Sequence, residues 1–449
     1  MKSFSTLIIV IGLIVMGSMA TAKSPEQGAN PFANGTNERN LIVIFSDVHL
    51  GADLRFAETK KNLPNLVKFL DMIRTSPNVK ELVIAGDLLD EWFVPATIDT
   101  YQGKDQLDFV RRIASSNKTV FDMFNKIIQE KKVKLTYVPG NHDLTIRPEN
   151  VEAIMPGINQ ARDEGKIGLG TYSPDILPEL AVEHGHRFNF FCAPDPISNK
   201  SISPTTITPP GYFFTRIGAL HVMQRCKKSG EPMKIVTPNV NGGKSQELAY
   251  KYWQSWQWSV SYLPVNNKFD EKFIVTNVDG LTETYSMNDF IPYQTTPGGH
   301  IDQKLFKNIQ DQWEERQTLN NVQVHISAEQ AIDSVGSNTE TDNEANIQFF
   351  HNPKSNKRIV VFGHTHQAIV NSSKNTNGKK CVYANSGSWI DRMDHGAAKD
   401  PNQGATEMNF IVITPQKAND SKSQTEIKLY NFEGGKANYM QGESLNLKD

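Results

Sequence analysis

The sequence predicts an α/β fold in which a sheet with parallel first strands carries its functional groups along one edge. The first observation is a series of five short, β-rich apolar runs that end in polar turns marked by glycine. These runs cover residues 41–46, 81–86, 135–140, 181–183 and 358–363. The second observation is helical spacing of apolar residues between the first three runs, at 63–74 and 119–131. Strand–helix–strand alternation is typical of parallel sheets, whose functional groups lie beyond the carboxyl ends of the strands.

The composition is that of an ordinary folded protein. The chain has 449 residues, of which 38% are hydrophobic and 21% charged, and its formal net charge is -2. These values argue against wholesale disorder, collagen-like repetition and a polytopic membrane protein. The length suffices for one large domain with insertions or for about two to three domains. Near neutrality makes nucleic acid an unexpected partner, because such binding depends on a basic face.

Residues 1–22 have the pattern of a secretory signal peptide. Lys2 supplies a positive start, residues 7–16 are apolar apart from one glycine, and small residues at positions 20–22 offer a cleavage site. The alternative is an uncleaved membrane anchor, but the apolar core is shorter than the roughly 20 residues that a spanning helix needs. We therefore expect cleavage, a secreted or periplasmic product without a stable membrane span, and a flexible leader over residues 23–40.

Each of the five apolar runs delivers metal-ligand residue types at its end. In chain order these are Asp47 and His49, then Asp87, then Asn141, His142 and Asp143, then His184 and His186, and finally His364 and His366. A spacing of two residues places both side chains on one side of an extended segment. A mixed set of carboxylates, an amide oxygen and imidazoles suits Mn, Fe, Zn, Co or Ni better than Ca or Mg. The set is large enough for two divalent or mixed-valence ions about 3.5–4 Å apart that share a carboxylate.

Simpler interpretations exist for each residue taken alone. Asp87 could cap a helix, and His184 could be a hydrogen-bonded core histidine. Because metal-ligand residue types follow all five predicted strands, these separate interpretations do not explain the whole set. A purely structural metal site is a further alternative, but structural sites tend to be closed and rich in thiolates, whereas this set contains no cysteine.

Four of these motifs, taken in chain order, resemble those of the calcineurin-like metallophosphoesterase superfamily. They are Asp47-Val48-His49, Gly86-Asp87, Gly140-Asn141-His142-Asp143 and Gly363-His364-Thr365-His366. The resemblance implies a four-layer α/β/β/α sandwich with a dinuclear centre on one edge. By position, it implies one ion bound by Asp47, His49 and His366, and a second bound by Asn141, His184 and His364. It further implies that Asp87 bridges the ions and that His142, oriented by Asp143, contacts phosphate or donates a proton.

The ligand after the fourth strand remains open between His184 and His186. We prefer His184, which directly follows the apolar run, and we expect His186 to face the substrate or solvent. Arg187 beside it could clamp phosphate oxygens or form an ordinary surface salt bridge.

A second, partial resemblance concerns the segments at 46–51 and 86–92, which are similar to the UDP-2,3-diacylglucosamine hydrolases. This chain differs from that branch at His142, where arginine is usual. The resemblance implies a bulky substrate with a pyrophosphate or phosphodiester linkage.

Substrate choice is expected to come from an insertion, since 179 residues separate His184 from His364. We divide the chain into a first core part at 41–194, an insertion or cap at 195–350, and a second core part at 351–449. Within the insertion we predict helices at 301–320 and 327–335. The insertion also contains a dense aromatic cluster, which forms either its core or a platform for a sugar, base or acyl chain. The cluster consists of Tyr250, Tyr252, Trp253, Trp256, Trp258 and Tyr262.

The second core part contains three further predicted strands. They lie at 380–383, 408–414 and 425–430, and we expect them to form a second sheet packed on the first.

The sequence thus predicts an exported, dinuclear-metal-dependent phosphoesterase. It would hydrolyse a phosphate mono- or diester, or a pyrophosphate, through a hydroxide that bridges the two metal ions, without a serine or cysteine nucleophile. The expected substrate is a phosphorylated small molecule or a lipid- or nucleotide-like compound. Two alternatives stay open: a nuclease acting through the same site, and a non-catalytic exported metal-binding protein.

Overall fold

The structure is a computed structural model that describes residues 30–225, 231–337, 339–391, 393–394, 397–398, 407–417, 420 and 422–449. The predicted signal peptide lies outside these residues, as do residues 23–29 of the predicted leader. Within the described ranges, no helix combines the length and the apolar character needed to cross a membrane.

In the described residues, α-helices lie between the successive strands β1 to β4, and most of the other short strands lie later in the chain. The strands are β1 (Leu41–Phe45), β2 (Val79–Ala85), β3 (Lys134–Val138), β4 (Asn159–Gln160), β5 (Leu180–Val182), β6 (Ile274–Val275), β7 (Thr284–Tyr285), β8 (Tyr293–Gln294), β9 (Ile301–Asp302), β10 (Ile359–Phe362), β11 (Ile369–Lys374), β12 (Lys380–Asn385), β13 (Met393–Asp394), β14 (Ala397–Ala398), β15 (Asn409–Thr414), β16 (Thr425–Glu433) and β17 (Lys436–Leu445). The helices are α1 (Leu63–Thr75), α2 (Gln106–Ser116), α3 (Lys118–Glu130), α4 (Pro148–Ile154), α5 (Pro210–Gln224), α6 (Gly243–Tyr262), α7 (Trp313–Leu319), α8 (Ala328–Ser334) and α9 (Glu340–Ala345). The helices predicted between the first three strands are therefore present as α1 and α3.

The larger sheet has seven strands in the order β17-β16-β15-β1-β2-β3-β4. Its strands β1 to β3 are parallel, as predicted, β4 adds a further parallel strand beside β3, and β15 pairs antiparallel with β1. The smaller sheet has the order β11-β12-β10-β5, in which β10 is parallel to both β5 and β12. The prediction that 380–383, 408–414 and 425–430 share a second sheet is therefore wrong for two of the three strands. Only β12 belongs to the smaller sheet. β15 and β16 extend the larger sheet, because β15 pairs with β1 on the side opposite to β2, and β16 pairs with β15.

Alternating side chains in β1 show how the layers form. Leu41, Val43 and Phe45 pack with helical residues such as Phe69 of α1, while the intervening Ile42 and Ile44 face the smaller sheet. The inter-sheet core also contains Val182 of β5 and Val361 of β10. On the far side of the smaller sheet, Phe362 packs with residues from α9 and the π-helical turn at 346–350. The predicted four-layer α/β/β/α fold is confirmed.

The segment predicted as an insertion, 195–350, contributes no described strand to either main sheet. Two fully buried arginines tie it to the core. The Arg216 side chain of α5 donates to the carbonyl oxygens of Val94 (2.7 Å) and Ile98 (2.6 Å). Arg316 of α7 donates to the carbonyl oxygens of Phe190 (2.8 Å) and Pro194 (3.0 Å).

The aromatic cluster of the insertion lies on α6. Its members Tyr252, Trp253 and Trp256 are buried, which agrees with the interpretation of the cluster as a core. Trp258 and Tyr262 lie on the opposite side and are 50% and 56% exposed.

Candidate metal centre

The carboxyl ends of the two sheets meet at one edge, where the turns after five strands present polar side chains. Each predicted ligand lies there: Asp47 and His49 after β1, Asp87 after β2, Asn141 after β3, His184 after β5, and His364 and His366 after β10. The Asn141 Oδ1 atom lies 3.0 Å from His184 Nε2 and 2.8 Å from His364 Nδ1. The Asp47 Oδ1 atom lies 3.2 Å from His366 Nε2. The structure thus brings all seven predicted ligands together.

Asp87 lies between the two groups of ligands. Its Oδ1 atom accepts a hydrogen bond from the backbone N–H of His142 at 2.8 Å, which leaves Oδ2 facing the cluster. That Oδ2 atom is 3.7 Å from His49 Nε2 and 3.2 Å from His184 Nε2. A single carboxylate oxygen is therefore within reach of both groups.

The donor atoms have the separations expected of ligands that surround cations. Metal ligands bind at about 2.0–2.2 Å, so that two ligands of one ion lie about 3–3.5 Å apart. Two residue groups, Asp47 with His49 and His366, and Asp47 with Asp87 and His184, each offer three donor atoms within 4.8 Å of one another. The His49 Nε2 atom is buried and has no hydrogen-bond partner in the described part of the chain. Because an orphaned buried nitrogen is costly, this atom fits a metal ligand better than a hydrogen-bonding group.

The electrostatics of the cluster favour positive charge. Burial raises the pKa of Asp47, but His366 and His184 outweigh burial and hold that pKa below its usual range. Burial likewise raises the pKa of Asp87, and His184 and His142 more than compensate. Conversely, burial lowers the pKa of His184, but Asp87 and Asp47 raise it to about 9. Both carboxylates are thus ionised at neutral pH, as metal binding requires.

Five ligands adopt a left-handed backbone conformation that residues other than glycine seldom adopt. The φ angles are 53° at Asp47, 50° at His49, 51° at Asp87, 70° at His364 and 59° at His366. Such strain persists where the surrounding structure imposes it, and it clusters at functional sites. Here it turns each side chain inward immediately after a strand has ended.

His184 and His186 are separated by the turn at Gly185 and point to different surroundings. His184 reaches the ligand cluster, whereas His186 donates from Nε2 to the carbonyl oxygen of Gly168 at 2.9 Å. His186 is only 2% exposed, so the expectation that it faces the substrate or solvent is wrong. The short 3-10 turn at His186–Phe188 directs its ring into the core.

The ring of His142 lies beside the ligand cluster and is held by Asp90. Its Nδ1 atom is 2.9 Å from Asp90 Oδ1, and its ring packs against Trp92 with the ring centroids 5.2 Å apart. The predicted pairing of Asp143 with this ring is wrong. Asp143 accepts hydrogen bonds from the backbone N–H groups of Gly140 and Leu88 instead, so that it shapes the turn rather than the imidazole.

Arg187 forms neither of the arrangements expected for it. The guanidinium is buried and pairs with Asp163 at 2.8 Å and with Glu183 at 2.9 Å. Because the guanidinium is buried and engaged by these two carboxylates, Arg187 stabilises the segment after β5.

Sequence reasoning missed two acidic residues of the site, Asp90 and Glu58. Asp90 had a weak local signal, since it follows Asp87 by three residues in the same turn. Glu58 had none, because it lies in the irregular chain between β1 and α1 and its proximity to His49 exists only in three dimensions. The Glu58 Oε2 atom lies 3.1 Å from His49 Nδ1.

Comparison of the sequence with known protein families gives a match over part of the chain. Residues 41–217 match the family described as calcineurin-like phosphoesterase. This stretch includes β1 to β5 and the ligands from Asp47 to His184, and it ends inside α5. His364 and His366 lie outside the matched residues. No curated protein matches the chain.

Proposed function

We propose, from the match of residues 41–217 to the calcineurin-like phosphoesterase family, that the chain is a member of this family and an exported phosphoesterase that works with two metal ions. The family and the buried cluster of histidines and carboxylates support a metal-dependent phosphoesterase. The finer proposal adds the dinuclear centre, export, and a phosphate mono- or diester, or a pyrophosphate, as the substrate.

One observation carries the dinuclear proposal. The Asp87 Oδ2 atom lies between His49 Nε2, at 3.7 Å, and His184 Nε2, at 3.2 Å. A carboxylate oxygen in that position can neutralise two cations at once, and a pair of ions about 3.5–4 Å apart is typical of phosphoester-cleaving centres. Asp47, His49 and His366 would hold one ion, and Asn141, His184 and His364 the other.

When bound, divalent ions neutralise phosphate oxygens and lower the pKa of a coordinated water. The remaining chemistry belongs to this chain. The His142 ring presents Nδ1 to Asp90, which leaves Nε2 as the nitrogen that can hold a proton for the departing oxygen. Asp90 stabilises the protonated ring and fixes its orientation, and general acid help of this kind is typically worth about 10² to 10⁴ in rate.

Trp92 covers one side of the same ring. Its indole is almost fully buried and is tilted by 31° relative to the imidazole, with the ring centroids 5.2 Å apart. An aromatic face beside an imidazolium stabilises the positive charge and excludes water. Trp92 therefore supports the proton-donor role that we assign to His142.

Support for export comes from the sequence alone, through the apolar segment and the small residues before position 23. The substrate class rests on the family and on the chemistry of the ligands. The insertion packs beside the β2 turn through Arg216, which makes it the part of the chain best placed to select among phosphorylated small molecules or lipid- and nucleotide-like compounds.

The test is hydrolysis of p-nitrophenyl phosphate and bis-p-nitrophenyl phosphate by the purified, Mn-loaded protein. We expect turnover of at least one ester, loss of both metal and turnover in Asp87→Asn, and retention of both in the control Asp108→Asn on the surface of α2. Single-stranded DNA belongs in the same panel, because its cleavage would favour the nuclease alternative. Absence of turnover on every substrate by fully loaded protein would favour a non-catalytic metal-binding protein.

A further inference from the structure

A second layer of charged side chains surrounds His49 on the side away from the other ligands. His49 Nδ1 lies 3.1 Å from Glu58 Oε2, 3.5 Å from Asp90 Oδ2 and 3.2 Å from His142 Nδ1. Glu58, Asp90 and His49 are each buried. The Asp90 Oδ2 atom has no hydrogen-bond partner in the described residues, so that this side of the carboxylate is also directed at His49.

The two ring nitrogens of His49 therefore have different surroundings. Nε2 faces Asp47 Oδ1 at 3.9 Å and Asp87 Oδ2 at 3.7 Å, and these three atoms would hold the proposed ion. A neutral imidazole that binds an ion through Nε2 carries its proton on Nδ1, which makes Nδ1–H a hydrogen-bond donor. The nearest acceptor for that donor is Glu58.

The same four side chains have the composition of a cation site, because their donor atoms all lie within 4.8 Å of one another. The chemistry of His49 disfavours that interpretation. Once His49 binds an ion through Nε2, its ring proton is on Nδ1, and Nδ1 then has no free lone pair for a second cation. A cation among these four side chains would therefore lack His49 as a ligand. A pair of carboxylates that accept N–H hydrogen bonds from two imidazoles satisfies these groups without a cation.

Glu58 is held firmly in this position by its backbone. The Asp391 N–H donates to the Glu58 carbonyl oxygen at 3.0 Å, and the side chain of Asn62 donates to the carbonyl oxygen of Trp389 at 2.8 Å. The N–H of Trp389 in turn donates to the carbonyl oxygen of Asp47 at 3.0 Å. The segment at 389–391 thus forms hydrogen bonds both with the loop that carries Glu58 and with the ligand Asp47.

We propose that Glu58 is a positioning residue that accepts the Nδ1–H of His49, keeps Nε2 directed at the metal centre, and with Asp90 links this ligand to His142. The inference rests on the proposed function, since it assigns a role within the same centre. Carboxylate partners of this kind fix the tautomer and ring orientation of metal-binding histidines, and their loss typically costs about 10- to 100-fold in metal affinity.

Glu58→Gln tests the inference, because it keeps the size of the side chain and removes the charge. We expect two Mn²⁺ ions per chain in wild type and, in the variant, a dissociation constant for one of them that is raised about 10- to 100-fold. Glu58→Asp, which keeps the charge on a shorter side chain, should give an intermediate affinity. Urea unfolding in the presence of a chelator should be similar for all three proteins, which separates positioning from a merely structural role.

Glu81→Gln is the matched control. Glu81 is also a buried carboxylate of the core, but it accepts hydrogen bonds from Thr136 at 2.5 Å and Tyr172 at 2.6 Å, away from the ligands. We expect its Mn²⁺ affinities to equal those of wild type. Wild-type affinities in Glu58→Gln, alongside two ions in wild type, would overturn this inference alone. A wild-type chain that binds no ion would overturn the proposed function and the inference together.

Discussion

Gly140 packs directly against the carboxylate of Asp87. A β-carbon at position 140 would overlap both Asp87 Oδ1 and the Asp87 backbone nitrogen. The turn after β3 and the turn after β2 are therefore in contact at the point where the proposed bridging ligand is held. This contact places Asp87 by steric fit as well as by its hydrogen bond from His142.

We expect Gly140→Ala to displace Asp87 and to lower metal affinity and turnover together. The alanine methyl group can be accommodated only if one turn moves, because the obstructing atoms include backbone. The measurement is Mn²⁺ binding alongside hydrolysis of p-nitrophenyl phosphate. Gly103→Ala is the control, because its φ of 74° makes alanine strain the backbone at an exposed turn where no neighbouring atom lies within 4 Å, without a clash at the ligands. Wild-type binding and turnover in Gly140→Ala would show that Asp87 does not depend on this contact.

The pairing of His142 with Asp90 predicts a dependence on the leaving group. p-Nitrophenol departs without a proton, whereas phenol needs one. His142→Ala and Asp90→Asn should therefore lose more turnover on phenyl phosphate than on p-nitrophenyl phosphate, by about 10-fold or more. Metal content at saturating Mn²⁺ should stay near wild type in both, because the seven ligands and Glu58, the partner that we propose for His49, all remain. An equal loss on the two esters, or full activity in His142→Ala, would remove the proton-donor role.

Buried Glu340, at the start of α9, predicts a pH dependence of stability that is independent of the metal centre. Burial raises the pKa of Glu340 to about 8, although Asn189 donates to its Oε2 atom at 2.9 Å. Between the ordinary pKa of a glutamate and about 8, the unfolded chain is ionised while the folded chain keeps the proton. Folding stability is thus fully present at acidic pH and falls as the pH rises, by up to about 1.4 kcal/mol per pH unit.

Glu340→Gln should remove this loss. The free energy of unfolding, measured in urea at pH 5 and pH 8, should differ little between variant and wild type at the lower pH and favour the variant at the higher one. Glu247→Gln, on the exposed surface of α6, should not change the wild-type slope. If the free energy of unfolding of Glu340→Gln were lower than that of wild type by the same amount at pH 5 and pH 8, the account of Glu340 would be contradicted.

The strand-end ligands could be predicted from the sequence because their signals are local. A buried β-rich run followed by an abrupt polar turn is visible in the sequence at Asp47 and Asp87, and parallel strands bring such turns to one edge. The assignment of strands to sheets could not be predicted in the same way. The pairing of β15 with β1 joins residues more than 360 positions apart, and the polar strand β17 has no clear apolar alternation.

The insertion shows a second limit of local patterns. Residues 301–320 were predicted as one helix, but only α7 (Trp313–Leu319) forms there. Phe306 and Asn308 have φ angles of 58° and 56°, which end any helix, while Leu305 and Ile309 are buried in the core of the insertion. By contrast, the helix predicted at 327–335 is present as α8, because its capping box at Ser327 and Gln330 is a local feature. Glu58 and Asp90 required the fold, since their partners are histidines from other turns.

The most direct measurement is the anomalous scattering of a crystal of the Mn-loaded protein. The account predicts two peaks about 3.5–4 Å apart, on either side of Asp87 Oδ2, with His49 and His184 as ligands of different ions. A single peak, or a second ion bound among Glu58, Asp90 and His142 instead of at His184 and His364, would contradict it.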